Sequence, residues 1–366
     1  MKSTIYSILS LSLLLFASSC KDSKDPKPEI KTSVVASSNN SFFMRNDTLW
    51  AAGNNNDGQL GDGTTTNIET PKQIMTNVKA VATGSLHTMI LKNDNTLWGV
   101  GYNYVGQLGD GTTTNATTPK QVATDIKSVA VGAFHTLILK NDNTLWGTGA
   151  NVYGQLGDST TTDIKTPKQI MTDVKAVTAG VFHTLILKND NTLWATGSNV
   201  YGQLGDGTTG LVYSFKQITT NVKLVVSQRD YTLIVKNDNT LWAAGFNLYG
   251  QLGDGTNTDL HTFKQIMTHV KSVSAGQFHT MIMKNDNTLW ATGFNASGQL
   301  GDGTTSDAKT PKQVMTHVKA VAVGQYHTLV IKDDNTFWAT GDNFYGQLGL
   351  NLGSSFYTKT FTKIPL

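Results

Sequence analysis

The sequence is poor in cysteine, in charge and in the residues that favour helices. Its 366 residues include one cysteine, and 15% are charged, against about 25% in an ordinary globular domain. Glutamate and arginine occur twice each, as Glu29, Glu69, Arg45 and Arg229, whereas glycine, a poor helix former, occurs 35 times. This composition excludes a helical bundle or coiled coil and favours short strands joined by many turns. A hydrophobic content of 39% is too high for a disordered chain.

The sequence also lacks an excess of charge of either sign. The formal net charge is +3, and lysine and aspartate are interspersed rather than clustered. A nucleic-acid backbone is bound through a basic patch or stripe, and none is present. We therefore expect no nucleic-acid partner.

The amino terminus predicts export. A basic start, Met1-Lys2, precedes an apolar run from Ile5 to Ala17 that is too short to span a bilayer of about 30 Å. The run ends in Ala17-Ser18-Ser19-Cys20, which leaves two interpretations: a secretory signal with an incidental cysteine, or a lipobox whose Cys20 is acylated. We favour the second, because the segment resembles bacterial lipoprotein signals.

The predicted organisation of this end is a lipoprotein signal peptide at 1–19, followed by acylated Cys20 and a charged, proline-containing tether at 20–29. The protein would then be anchored in the bacterial cell envelope, at the outer membrane or cell surface. With Cys20 acylated, no thiol remains for disulfides, thiolate catalysis or metal binding.

A repeat of 48 residues fills the rest of the chain. The tetrapeptide Gly-Gln-Leu-Gly recurs seven times at this interval, beginning at Gly58, and all seven tryptophans follow the same spacing, beginning at Trp50. Repeats of this length are typical of solenoids and propellers. The units are 30–77, 78–125, 126–173, 174–221, 222–269, 270–317 and 318–366.

Each unit predicts four strands. In the second unit these are Val78–Ala82, His87–Lys92, Thr96–Val100 and a short edge strand at Pro119–Val122, with a hairpin turn at Asn93-Asp94-Asn95. Four strands per repeat indicate a propeller blade. A solenoid would need atypical polar caps, which the terminal units lack. We therefore predict an all-β, seven-bladed β-propeller whose ring is closed by pairing of the N- and C-terminal strands.

These residues carry a family resemblance. The pattern G-x-x-H-T-L-I-L-K-N-D-N-T-L-W-x-x-G-x-N-x-x-G-Q-L-G-D-G resembles the repeat of the regulator of chromosome condensation family over residues 30–366. The resemblance implies a seven-bladed propeller. The family's eukaryotic namesake is a nucleotide exchange factor for a small GTPase, but the uniform spacing leaves no room for the loop insertion that this activity needs. We therefore do not expect exchange activity here.

The recurrent polar residues predict structure rather than catalysis. Five histidines occupy one repeat position, where Asn39 and Tyr231 stand in the other two units, and we expect them to hydrogen-bond loop backbone. His269 and His317 are expected in exposed turns, and six aspartates in D-G-T or D-S-T sequences are expected to cap turns. Calcium-loop and catalytic motifs are absent from the sequence. We expect no enzyme activity, no metal and no cofactor.

The candidate binding surface consists of the loops between first and second strands and between third and fourth strands. Antiparallel order places both on one face, and they carry many aromatic residues, as recognition surfaces do. A tyrosine directly before Gly-Gln-Leu-Gly is expected to pack between blades. The less regular aromatic positions are the better candidates for partner binding: Tyr102, Tyr104, Phe246, Phe294 and Phe344.

One sector departs from the repeat at two places. Gln228-Arg229-Asp230-Tyr231 and Gly210-Leu211-Val212-Tyr213 replace the usual sequences, and we expect both at one blade boundary. They represent either neutral drift or a specificity patch, which adds Tyr213, Arg229 and Asp230 to the candidates. The predicted function is therefore non-catalytic recognition of a protein partner by a monomer; a glycan-binding propeller is the alternative, and an enzyme is less favoured.

Overall fold

The structure is a computed structural model that describes residues 31–353 and 355–366. The predicted signal peptide, Cys20, the tether and Ile30 lie outside these residues. Within them, all regular structure is β-strand, and no helix is long and apolar enough to cross a membrane.

The chain forms seven antiparallel sheets of four strands, each built from one repeat unit. Blades one to four are β1–β4 (Thr32–Ser37, Asn40–Arg45, Thr48–Gly53, Ile68–Met75), β5–β8 (Val78–Thr83, His87–Lys92, Leu97–Gly101, Ala116–Ala123), β9–β12 (Ile126–Val131, His135–Lys140, Leu145–Gly149, Ile164–Met171) and β13–β16 (Val174–Ala179, His183–Lys188, Leu193–Gly197, Val212–Thr219). Blades five to seven are β17–β20 (Val222–Gln228, Tyr231–Lys236, Leu241–Gly245, Leu260–Met267), β21–β24 (Val270–Ala275, His279–Lys284, Leu289–Gly293, Ala308–Met315) and β25–β28 (Val318–Val323, His327–Lys332, Phe337–Asp342, Tyr357–Lys363). The predicted seven-bladed propeller is confirmed.

The first strand of every blade faces the central axis and the fourth lies at the rim. Short aliphatic residues of the first strands, such as Val34, Ala82 and Val226, line a narrow central channel. Apolar cores fill the space between successive blades rather than one common centre. In one of them, Leu91 and Leu108 of blade two pack against Ile126 and Ile138 of blade three. Because each core is local, a single domain of this length needs no oversized interior.

The fourth strand is longer than predicted. In blade two it spans Ala116–Ala123, so Pro119 lies inside the strand and not at its start. The ladder between β7 and β8 shifts register between Gly99 and Gly101, opposite this segment. A proline, which has no N–H to donate, is accommodated at such an irregularity on an edge strand. Gly106 begins the loop tetrapeptide with φ +80°, and a Cβ there would lie 2.6 Å from Lys165 Cα of the next blade.

The prediction that the terminal strands pair to close the ring is wrong. β1 pairs with β2, and β28 pairs with β27, each inside its own blade. The last unit supplies its own fourth strand at the rim, whereas β1 is at the axis, so the two edges do not meet. Packing closes the ring instead: the rings of Phe43 and Phe337 meet edge to face at 5.8 Å within a shared apolar core.

Candidate functional site

The loops between first and second strands and between third and fourth strands lie together, as predicted. We call this the loop face. Tyr102, which follows β7, lies 6.0 Å (ring centroids) from Phe134, which precedes β10 in the next blade. Tyr153 and Phe182 make a similar contact between blades three and four at 4.7 Å, although Tyr153 comes later in its loop than Tyr102 does. Aromatic residues of the two loop types therefore bridge neighbouring blades on one face.

Six of these aromatic residues form a continuous cluster across blades four to seven. Phe246 contacts Tyr201 at 5.1 Å, and Tyr249 contacts both Phe278 at 5.3 Å and Phe294 at 4.9 Å. The Phe278 ring in turn stacks on the ring of Tyr326 in the next blade, with an interplanar angle of 13°. We call this cluster the aromatic arc: Tyr201, Phe246, Tyr249, Phe278, Phe294 and Tyr326. Phe278 is buried and the other five are half-buried.

The structure divides the predicted aromatic candidates into two groups. Tyr104 and Phe344 are 64% and 62% exposed, as a recognition surface requires. Phe246 and Phe294 are half-buried within the aromatic arc, and Tyr102 is half-buried against Tyr104 at 4.7 Å. The second group therefore packs against neighbouring rings and is only partly available to a partner.

Sequence reasoning missed three exposed apolar residues. Tyr104 and Phe344 occupy the same repeat position as Val152, Val200 and Leu248, and all five side chains are between 55% and 64% exposed. We call these five residues the exposed apolar set. The 48-residue spacing aligns all five positions in the sequence, but aromatic character singles out only Tyr104 and Phe344 among them. Phe356, 59% exposed and 5.7 Å from Phe344, was also missed because it lies in the irregular seventh unit.

The divergent sector does not form one patch. Tyr213 lies on the fourth strand of blade four and packs at the rim against Gly154 of blade three. Arg229 instead lies at the tip of the β17–β18 turn, with its guanidinium carbon 4.4 Å from the Phe278 ring centroid. Tyr231 is fully buried, and its hydroxyl lies 2.9 Å from the carbonyl oxygen of Gly276. The expectation of one shared blade boundary is therefore wrong, because a blade's rim and its axial turn face different neighbours.

Arg229 and Asp230 form the only charged pair beside the aromatic arc in the described residues. Arg229 Nε donates to Asp230 Oδ2 at 3.3 Å, with 33% and 15% of the two side chains exposed. Burial raises the pKa of Asp230, whereas the neighbouring Arg229 opposes that rise. The pair is thus partly desolvated, which strengthens its interaction with any approaching charge.

The five repeated histidines are structural, but they do not bond loop backbone as predicted. His87 Nε2 lies 2.9 Å from Thr136 Oγ1 of the next blade, and that hydroxyl donates to the Gln107 carbonyl at 2.7 Å. The other pairs are His135–Thr184, His183–Thr232, His279–Thr328 and His327–Ser41. Burial lowers the pKa of each imidazole from 6.5 to about 3. The first blade's equivalent is Asn40, not Asn39, because its β2–β3 turn is one residue shorter.

The repeated aspartates cap turns, as predicted. Asp110 Oδ1 accepts from the backbone N–H of Thr112 at 3.0 Å and from its hydroxyl at 2.8 Å. His269 and His317 are exposed turn residues, which is also confirmed. Across the part of the chain that the structure describes, no group of three His, Cys, Asp or Glu side chains is arranged to hold a metal ion.

The remaining sector of the loop face is polar. Asn39, Asn54, Asn56 and Asp57 of the first blade border an open cavity of about 340 Å³ together with Gln277 and Gln325. Amide side chains both donate and accept hydrogen bonds. The loop face therefore combines an aromatic side with an amide-rich side.

Comparisons with known proteins agree with this architecture. Residues 17–268 match the family described as RCC1-like domain, and residues 286–331 match the regulator of chromosome condensation (RCC1) repeat. No curated protein matches the chain. Human WBSCR16 superposes with a TM-score of 0.79 at 20% identity, over 87% of this chain and 94% of that one.

Two further solved structures are similar. Prp20p from Saccharomyces cerevisiae, described with its binding properties to Gsp1p and histones, has a TM-score of 0.79 at 18% identity, over 91% of this chain and 87% of its own. The ectodomain of the Physcomitrella patens receptor kinase CR4 has a TM-score of 0.53 at 13% identity, over 84% and 72%. At these identities the likeness shows the fold alone.

Proposed function

The chain belongs to the family of RCC1-like domains, and from this membership we propose that it is a non-catalytic scaffold that recognises a protein partner through its loop face. The observation that carries the proposal is the exposed apolar set, five exposed apolar side chains at one repeat position. Scattered exposed apolar residues are ordinary on a protein surface, but here five recur at one position of the repeat, on the face that also carries the aromatic arc.

The aromatic arc supports the same proposal. Protein interfaces are enriched in Tyr and Phe, and their energetic centres are packed aromatic and arginine side chains surrounded by contacts that exclude water. The arc supplies packed rings with one arginine, and the exposed apolar set adds apolar side chains elsewhere on the same face. Because the rings already pack against one another, little side-chain entropy would be lost on binding.

An exchange-factor role is less favoured. Prp20p is described with binding to Gsp1p, but six of the seven units here have identical 48-residue spacing and therefore no long loop insertion. Binding without catalysis is also consistent with the five repeated histidines, which are fully buried in blade-to-blade contacts.

A glycan is the second candidate ligand. The amide-rich cavity at blade one offers hydrogen-bond donors and acceptors that suit sugar hydroxyl groups, and the aromatic rings on the other side of the loop face suit sugar faces. A glycan array with the full chain separates the two candidates, since a protein-binding face predicts no glycan that competes with the partner.

The binding test compares two triple variants in pull-downs from an envelope fraction. Tyr104→Ser, Leu248→Ser and Phe344→Ser together remove apolar area from the loop face. This triple variant should no longer capture the partner that the wild type captures. Thr76→Ala, Thr172→Ala and Thr220→Ala, on exposed turns of the opposite face, serve as the control and should not. Equal capture by both variants would overturn the proposed face.

The proposal includes a lipid anchor at Cys20, which would hold the loop face within the cell envelope. This part rests on the sequence Ala17-Ser18-Ser19-Cys20. Wild-type protein grown with labelled palmitate should carry label, and Cys20→Ala should carry none. An unlabelled wild type contradicts the anchor without affecting the binding proposal.

A further inference from the structure

We propose that Arg229 binds a carboxylate of the protein partner, so that the partner presents an Asp, a Glu or a C-terminus framed by apolar side chains. This inference rests on the proposed function, since it assigns the chemistry of the residue that meets the aromatic arc. Its basis is the way that the β17–β18 turn presents a single arginine over two rings.

The backbone beneath Arg229 is fixed. Arg229 has φ +45°, a conformation that non-glycine residues adopt only when their surroundings hold them. Two hydrogen bonds do so: the Arg229 carbonyl accepts from Val181 N–H at 3.0 Å, and the Asp230 carbonyl accepts from Phe246 N–H at 2.9 Å. The side chain therefore projects from a defined position rather than from a flexible loop.

Arg229 is the one charged residue at this turn position. The equivalent residues in the other six blades are uncharged: Ser38, Ser85, Ala133, Val181, Gln277 and Gln325. The departure from the repeat therefore adds one positive charge at this turn position and one negative charge at the next, around the channel mouth. Asp230 follows it directly and takes the Nε hydrogen bond.

The rings around Arg229 orient its guanidinium. Its central carbon lies 4.4 Å from the Phe278 ring centroid and 5.4 Å from that of Phe246. Rings stacked on a guanidinium exclude water and restrict its rotation. Within the described residues, Nε is the only guanidinium nitrogen with a hydrogen-bond partner, so both terminal nitrogens can still donate.

Two parallel N–H donors match a carboxylate in geometry and in charge. An arginine binds a carboxylate through two parallel hydrogen bonds, which are stronger in a desolvated setting. A phosphate carries nearly twice the charge and usually needs a cluster of cations. No other cation stacks on the rings of the aromatic arc in the part of the chain described. The site therefore favours a single carboxylate.

The test uses a defined probe, a displayed library of random 12-residue peptides selected on the full wild-type chain. Selected peptides should contain Asp or Glu beside apolar residues. Changing that acid to its amide should weaken binding to the wild type by at least about tenfold, the scale of a charge-assisted hydrogen-bond pair. The same change should have little further effect on Arg229→Gln, because the partner of the carboxylate is already gone.

Two control variants separate the effect of the paired N–H donors of Arg229 from the effect of its positive charge. Arg45→Gln removes the other arginine, which is exposed on the opposite face, and should bind like the wild type. Arg229→Lys keeps the charge without the paired planar donors, and its affinity should fall between those of the wild type and Arg229→Gln. Thermal melting of each variant verifies that the fold is retained.

The outcomes separate this inference from the proposed function. If Phe246→Ala weakens the binding of the selected peptides but Arg229→Gln does not, the carboxylate site is overturned. The proposed loop face would then still be supported. Selected peptides that Phe246→Ala does not weaken would contradict both. An acid-to-amide effect of equal size in wild type and Arg229→Gln would show that the acid binds elsewhere, and would also overturn the inference.

Discussion

Removing one buried hydroxyl between blades should destabilise the whole ring. Thr136 Oγ1 donates to the Gln107 carbonyl at 2.7 Å and receives the His87 Nε2 proton at 2.9 Å. Thr136→Val has nearly the same shape but cannot form either hydrogen bond. It leaves a carbonyl and an imidazole N–H buried without partners, each at about 1–3 kcal/mol. Together the two groups should lower the free energy of unfolding by about 2–6 kcal/mol.

The repeat provides a matched control at Thr88. This residue is equally buried at the same position of blade two, but the preceding blade has Asn40 in place of a histidine. Its hydroxyl contacts only Thr83 Oγ1, at 3.2 Å, among the described side chains. Thr88→Val should therefore cost less than about 1 kcal/mol.

Urea unfolding followed by tryptophan fluorescence measures both variants. The midpoint of Thr136→Val should fall well below that of Thr88→Val with an unchanged dependence on urea, which identifies a change in stability rather than in the unfolded state. Equal midpoints for the two variants would refute the reasoning that these hydroxyls join the blades. A larger loss of stability in Thr88→Val than in Thr136→Val would also refute it.

Three further predictions concern the buried histidines, the last strand and the aromatic residues of the loop face. The five buried histidines have pKa values of about 3 in the folded state and about 6.5 when unfolded, so stability should be complete above pH 6.5 and fall as the pH drops towards 3; melting temperatures that stay constant from pH 7 to pH 4.5 would contradict this. Deleting Thr358–Leu366 removes all of β28 except Tyr357, together with buried Ile364, which exposes the edge of β27 and should cause aggregation detectable by gel filtration. A deletion that elutes and melts like the parent would contradict this prediction. Tyr104→Ala and Phe344→Ala should each cost about 0.5 kcal/mol or less, whereas Phe294→Ala, inside the aromatic arc, should cost more in the same urea assay; equal costs would show that the two groups are not distinct.

The sequence alone determined the number of blades, the strands of each blade and the family. Six units of 48 residues and one of 49 share one strand pattern, and each unit contains every strand of its own sheet, so local signals sufficed. The second strand, His87–Lys92, was predicted to the residue. The loop face also followed from antiparallel order, because the connections between first and second strands and between third and fourth strands must lie at the same end of the sheet.

Only the tertiary structure decided how neighbouring blades meet. The ring closes through Phe43 and Phe337 rather than through strand pairing, and His87 bonds to a hydroxyl 49 residues away. The Phe246 and Phe278 rings meet Arg229, while Tyr213 lies at another boundary. These contacts depend on the rotation and spacing between blades. A unit's own sequence specifies its strands, but the packing of two units against each other fixes that rotation.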